Sequence, residues 1–418
     1  MEIVISNKAE RARGPAGAVS DNRCSLGVNF LSVSCQMNLL RSPPKGPTPV
    51  REELAVETTC GIVWIGDKRP SSGEARPVVS HQSALWLWRE GWTPVRRLDG
   101  AEAEEWLGAV VHDEDVRRLR RSVAYPDGFP MHILCGSQGL RRRLKLAQCH
   151  VVPGACQAPV PLVEAVSPQG GLAALAVAPE ISWAQVALKA GAVVARELAW
   201  ELTGTFRPDP SAPFGLDERQ PLATVARLMD AAVLLRGGRF PMHVRRMLNG
   251  VCDRAASPTE GRIACLMTLP RRCGGHGIPA PDINVSLKLA PEEATLVGGR
   301  AIVPVFFWKD AGLALEYDSD AVHGNDLAAV HDEQKRSVYA ALGITSLSLT
   351  REVLMDPAAC DEFMDVVRKH LGMDPELPLA GVRRKRAQLR RDLLAWKDPG
   401  PLETGEDAEE ETAPSSCA

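Results

Sequence analysis

Apolar residues recur with two different periods along the chain, and the change of period divides it. From Cys60 to Val152, short apolar or alternating runs are mixed with helical spacing. Gly61 to Gly66 reads as a strand, and Ser80 as the N-cap of a helix running through Trp88. Glu102 to Arg121 reads as a charged helix; Met131 to Cys135 and Ala147 to Val152 read as strands around a basic turn. Between 153 and 256 the 3.6-residue period dominates, over Ile181 to Leu202 (stopped by Gly204), Pro221 to Leu235 and Phe240 to Val251. From Ser257 the periods mix again. Ser257 can cap a helix with Pro258 at its first position and Glu260 in its first turn. Strands follow at Ile283 to Leu289, Ala301 to Trp308 and Leu313 to Tyr317, then a helix from Leu327 to Leu342, a strand from Ile344 to Leu349 and a helix from Pro357 to Leu371. This order predicts a three-layer α/β domain, in which 301–308 and 313–318 pair as a hairpin across Lys309 to Gly312.

The ends lack such periods. Ser42 to Pro49 is rich in proline, a linker composition, and residues 1–58 are expected to lack stable structure. Arg383 to Arg391 reads as a basic helix, followed by an acidic tail from Gly405. Five segments result: 1–58, an α/β region over 59–152, a mainly helical region over 153–256, an α/β domain over 257–372, and 373–418.

Composition narrows the class. With 418 residues, 45% hydrophobic and 24% charged, the chain is an ordinary globular protein of two or three domains. A net charge of -3 does not mark a nucleic-acid binder, so local charge matters more than the total. The eleven cysteines include no Cys-x-x-Cys pair, which points to reduced thiols and away from a disulfide framework or a zinc site. Apolar stretches such as Gly170 to Pro179 are too short to span a bilayer, and the N-terminus carries no secretory pattern. A cytoplasmic protein with no membrane partner is the expectation.

Candidate chemistry concentrates after Leu313. Glu316, Asp318 and Asp320 alternate along a strand and so share a face. Hard carboxylate oxygens on one face suit Mg²⁺ or Mn²⁺, which can polarise a phosphate and activate water. His323 could act as a general acid, Arg336 could hold a phosphate, and Asp332 lies four residues before Arg336 on one helix face. The bland alternative is a solvated turn followed by a surface ion pair.

The order Glu316-Tyr317-Asp318, His323, Asp332-Glu333-Gln334-Lys335-Arg336, Leu342-Gly343 resembles the small PD-(D/E)XK nuclease domain of the very-short-patch-repair endonuclease group, carried by many bacterial proteins. Glu260 matches a glutamate those domains commonly hold. Upstream, Ser80 to Leu85, Met131 to Val151 and the region around Leu188 to Gly204 are similar to the AbiEi-type antitoxin and regulator family of abortive-infection systems. The resemblance implies a restriction-endonuclease-like fold, DNA as partner, a toxin or other protein as a further one, and Mg²⁺ or Mn²⁺ as cofactor. Glu316 and Asp318 would hold the metal, His323 would assist proton transfer, and Asp332, Arg336 and Glu260 would support the site. One departure is plain: the family's metal-binding aspartate on the preceding strand falls near Val305. Two classes therefore stay open, a Mg²⁺-dependent DNA endonuclease and a non-catalytic DNA-binding or regulatory protein on the same scaffold.

Other features carry two readings each. Arg141, Arg142, Arg143 and Lys145 could contact phosphates or guard a hairpin edge. The Arg383 to Arg391 run could form a nucleic-acid patch or pair with the acidic tail Glu406 to Glu411, the reading favoured here. His132 and His150, in apolar strands, read as core or edge histidines, and the tryptophans 86, 88, 92 and 106 as core. Gly274 to Gly277 precedes no helix and lacks the Lys-Ser/Thr of a phosphate loop.

Overall fold

The computed structural model describes residues 63–64, 76–154, 156, 158–187, 189–212, 215–236, 241–318, 326–375 and 379–395. The expected strands at 61–66, 131–135 and 147–152 are joined by four that the sequence did not mark, giving β1 (Val63–Trp64), β2 (Val78–Val79), β3 (Thr93–Arg97), β4 (Met131–Cys135), β5 (Ala147–Val151), β6 (Leu162–Val166) and β7 (Leu172–Val177). They form one mixed sheet in the order β3-β6-β7-β2-β4-β5, with β1 also paired to β7. Between its strands lie α1 (His81–Arg89), α2 (Gly100–Leu107) and α3 (Asp113–Ser122). The tryptophans 86, 88 and 92 are buried in this half's core, with Trp106 packed against it.

Residues 153–256 are less helical than their period suggests, because β6 and β7 belong to the same sheet as β2 to β5. In β7, Ala173 to Val177 are all buried, and β7 pairs antiparallel with β6 and parallel with β2. A central strand buried on both faces reads as a continuous apolar run, and its alanines mimic a helix. The expected helix from Ile181 to Leu202 is two, α4 (Pro179–Ala187) and α5 (Ala192–Thr203), the second with Gly191 at its N-cap. A hairpin of β8 (Phe206–Pro208) and β9 (Leu216–Glu218) follows, then α6 (Val225–Arg236) and α7 (Pro241–Leu248).

The rest of the described chain is α8 (Pro258–Thr268), β10 (Asp282–Ile283), β11 (Leu287–Lys288), α9 (Pro291–Val297), β12 (Ala301–Ile302), β13 (Phe306–Trp308), β14 (Leu313–Asp318), α10 (Asp326–Ala341), β15 (Thr345–Thr350), α11 (Arg351–Met355), α12 (Pro357–His370) and α13 (Ala380–Leu394). A four-stranded mixed sheet runs β10-β13-β14-β15. The expected strand from Ala301 to Trp308 is broken. β12 pairs with β11 in a separate ribbon, and only β13 forms the hairpin with β14. Pro304 lies between them and has no N–H to give a ladder. The hairpin turns through Lys309 to Ala311, and Gly312 closes it at φ 56°.

The sheet lies between two helical layers. Phe306, Trp308, Leu313, Leu315 and Leu349 pack with residues of α8, α12 and α13. On the other side, Phe307 and Ala314 pack with Val338 and Tyr339 of α10 and with Val297 of α9. Helix α13, expected as a basic helix, exposes Arg383, Arg384, Lys385 and Arg391 but not all of its charge. Arg386 and Arg390 are buried; Arg386 donates to the carbonyls of Gly274 (3.3 Å) and Gly275 (3.2 Å), and Arg390 to that of Leu354. Gly274 allows this approach, since a Cβ there would meet the Lys385 carbonyl oxygen at 2.5 Å. The acidic tail lies outside the described residues.

Trp200 of α5, though in the N-terminal half, is fully buried in the C-terminal core. The described residues all fall within one compact unit. None of their helices is long and apolar enough to cross a membrane.

Candidate functional site

Strand β14 begins with three fully buried residues, Leu313, Ala314 and Leu315, and ends with half-buried Glu316, Tyr317 and Asp318. It pairs with β15 along its whole length, which sets Glu316 beside Ser348 and Asp318 beside Thr350. With β13 it pairs over only three residues. Val305 lies beyond the last β13 pair, and its side chain packs with the cluster that holds Leu315 and Tyr317, on the face of β14 away from Glu316.

Helix α10 lies over the Glu316 side of this strand end. Lys335 and Tyr339 are one helical turn apart and so share a face. The Tyr339 hydroxyl donates to Glu316 Oε1 at 2.6 Å, and Lys335 Nζ lies 2.8 Å from the same oxygen. The Tyr339 phenol is held well above its ordinary pKa, first by burial and then by the Glu316 charge, so it stays protonated and donates. Lys335 Nζ also reaches the Val303 carbonyl at 3.4 Å and lies 5.9 Å from the Tyr339 ring centroid. One carboxylate oxygen thus takes both an ammonium and a phenol.

Glu260 approaches from α8. Ser257 caps that helix by accepting from Glu260 N at 3.2 Å, and Glu260 Oε2 accepts from the N–H of Ala256, the residue before the cap, at 2.9 Å. Asn284 Nδ2 donates to the same oxygen at 2.8 Å, while Asn284 N donates to the Val305 carbonyl at 3.1 Å. Asn284 adopts φ 51°, a conformation asparagine tolerates better than most residues. Burial raises the Glu260 carboxyl pKa; the bonds from Ala256, Asn284 and Ser257 oppose this, and the charge of Glu316 adds to the rise. A raised folded value makes this group's contribution to stability fall as pH climbs above the ordinary 4.5. Glu260→Gln should therefore flatten the pH–stability profile above that value while keeping the Ala256 and Asn284 bonds. Urea unfolding of both proteins across pH checks this, and parallel profiles would refute it.

Asp318 is half-buried and alternates onto the Glu316 side of the strand. His323 and the side chain of Asp332 lie outside the described residues. Arg336 is exposed, with Glu333 at 3.6 Å, and does not turn toward Glu316. Its neighbour Lys335, about 100° away around the helix, does. Val305 is half-buried against the cluster that holds Phe306 and Leu315. Arg141, Arg142, Arg143 and Lys145 are exposed, but β4 and β5 run parallel, so their segment is a crossover and not a hairpin turn. Arg142 bonds the carbonyls of Gly139 (2.8 Å) and Arg141 (3.2 Å), and the Lys145 N–H donates to Asp113 at 2.8 Å.

The chain matches no protein-family model, no curated protein and no solved structure. Its chemistry is therefore read from its own side chains.

Sequence reasoning missed two sets of residues. Lys335 and Tyr339 are one; their i,i+4 spacing on the face of α10 nearest β14 was the available signal. The other is a histidine group. His132 and His150, expected as separate core or edge residues, meet His81 at the start of α1. His81 is lowered to about 2, first by burial and then by His150, His132 and Lys189, so its imidazole is neutral.

Proposed function

We propose that residues 257–372 form a restriction-endonuclease-like scaffold that binds DNA, and that an internal Lys335–Glu316–Tyr339 contact replaces the divalent cation of a phosphodiester site. The observation that carries this reading is the occupancy of Glu316 Oε1 by the Lys335 ammonium at 2.8 Å and the Tyr339 hydroxyl at 2.6 Å. Mg²⁺ dehydrates reluctantly and needs several oxygens in near-octahedral array. The donor set here fits that demand poorly. Glu260 Oε2 is engaged by Ala256 N and Asn284 Nδ2, and Val305, where the resemblance expects an aspartate, has no side-chain oxygen and packs into the apolar cluster. No catalytic step through a cation is derived for this arrangement.

A second reading, DNA hydrolysis with Mg²⁺ or Mn²⁺, is favoured by Asp318, whose half-buried carboxylate follows Glu316 on the same strand face. In it Glu316 and Asp318 would hold the ion. The regulatory role implied by the resemblance of the N-terminal half, with a toxin or other protein as partner, is compatible with either reading.

The exposed cations of the β4–β5 crossover support DNA as the partner. Each phosphate contact contributes roughly 0.9 to the slope of log K against log salt on duplex DNA. Replacing Arg141, Arg142, Arg143 and Lys145 together by alanine should reduce that slope by about 1–3 and weaken binding evenly across sequences. Fluorescence anisotropy with two unrelated duplexes at several salt concentrations measures it. An unchanged slope removes the crossover from the interface, and no binding by the wild type sinks the DNA reading.

A further inference from the structure

We propose that His81, His132 and His150 form a binding site for one Zn²⁺ ion, with its fourth position left to water. The three residues come from α1 and from the adjacent parallel strands β4 and β5. One ring nitrogen of each lies within 4.8 Å of the others. His132 Nδ1 and His150 Nε2 are 2.9 Å apart. A tetrahedral zinc with Zn–N distances of about 2.0–2.1 Å holds its nitrogens roughly 3.3 Å apart. A separation of 2.9 Å needs only a few tenths of an ångström of opening, within reach of small side-chain rotations. The His81 and His150 rings stack with centroids 3.7 Å apart, and the His132 and His150 rings meet edge to edge with centroids 5.0 Å apart, so loading the ion must turn the rings to aim their in-plane lone pairs at one point.

The surroundings fix the ring of His81. Its Nδ1 lies 3.0 Å from Ser80 Oγ, which leaves Nε2 as the nitrogen to face a metal. A ligating histidine commonly has its other nitrogen held in this way, which sets both tautomer and orientation. Its backbone has φ 53°, and its N–H donates to Gln185 Oε1 at 2.9 Å. A non-glycine residue held in this region is strained, and such strain gathers at functional positions. The Ser80 N–H donates to the His132 carbonyl at 2.9 Å and ties α1 to β4, so the cluster sits on rigid elements.

The donor chemistry selects the ion. Three imidazoles suit zinc, whereas Mg²⁺ and Ca²⁺ want oxygen. Cys135 and Cys149 alternate onto the opposite face of β4 and β5, so neither supplies a fourth ligand. All three histidines are partly exposed, in keeping with water at the fourth position. This site is independent of the nuclease-like half, and its test does not depend on DNA.

The full chain, stripped with a chelator, is titrated with Co²⁺ as a spectroscopic probe and then with Zn²⁺ by calorimetry. The expected result is one equivalent, with the visible bands of a tetrahedral cobalt site and no thiolate charge-transfer band in the near ultraviolet. His132→Gln and His150→Gln should each weaken binding by more than about 100-fold, beyond the 10–100-fold that outer partners contribute. His81→Asn, which keeps a residue tolerant of the left-handed backbone, should do the same. The unfolding midpoint of each metal-free variant reports whether it folds. If one does not, Ser80→Ala, which spares every ligand, should weaken binding by about 10–100-fold. No cobalt spectrum, a spectrum with thiolate bands, or equal affinity in the folded variants would reduce the cluster to hydrogen-bonded imidazoles and overturn the proposal.

Discussion

Replacing Trp200 by alanine should lower stability by about 3–5 kcal/mol, the range for removing a fully buried tryptophan. Trp200 stands on α5, yet it packs into the core formed by α8, α12, α13 and the second sheet. Its ring lies against Gly261 so closely that a Cβ there would come within 2.6 Å of it. Gly261→Ala should therefore cost roughly 1–3 kcal/mol by overpacking from the other side of the same contact. The indole Nε1 is buried without a hydrogen-bond partner among the described residues, so Trp200→Phe should cost much less than Trp200→Ala. Urea unfolding followed by tryptophan fluorescence and by circular dichroism measures all three. A cost under about 1 kcal/mol for Trp200→Ala would mean that Trp200 does not pack into the C-terminal core.

Lys335→Met should destabilise the protein by about 1–3 kcal/mol, because it leaves the Glu316 carboxylate without its cation. The side chains of Lys335 and Glu316 are 24% and 18% exposed, so the pair lies between a surface and a buried salt bridge. The double variant Lys335→Met, Glu316→Gln removes both charges while leaving Tyr339 a carbonyl oxygen to donate to. It should recover most of the loss, giving a coupling energy of about 1–2 kcal/mol. Additive costs in the double-mutant cycle would mean that the 2.8 Å contact contributes nothing specific.

Much of the second sheet was legible because its signals are local. Ser257 followed by Pro258 and Glu260 marked the start of α8, and the apolar run from Leu313 marked β14. In the first half, Met131–Cys135 was read to the residue. Non-local pairing defeated the rest. β6 and β7 are strands because they pair with β3 and β2, and the alanines of β7 carry no strand signal of their own. The break between β12 and β13 was signalled by Pro304, which a continuous apolar run obscured. The sequence singled out Glu316 as a candidate but gave no sign of its contacts with Lys335 and Tyr339. Choosing between Lys335 and Arg336 requires the rotation of α10 on the sheet, which one residue of helical phase decides. The histidine group brings together positions 81, 132 and 150, far apart in the chain, and only the β4–β5 register and the placement of α1 unite them.

The central claim is that an internal ammonium stands where a divalent cation would be held. A calorimetric titration of the full chain with Mg²⁺ and with Mn²⁺, run beside a nicking assay on supercoiled DNA, tests it most directly. The account predicts no saturable binding at Glu316 below the millimolar range and no cleavage, with wild type and Glu316→Ala behaving alike. Metal binding that supports cleavage in the wild type, and is lost in Glu316→Ala, would contradict it.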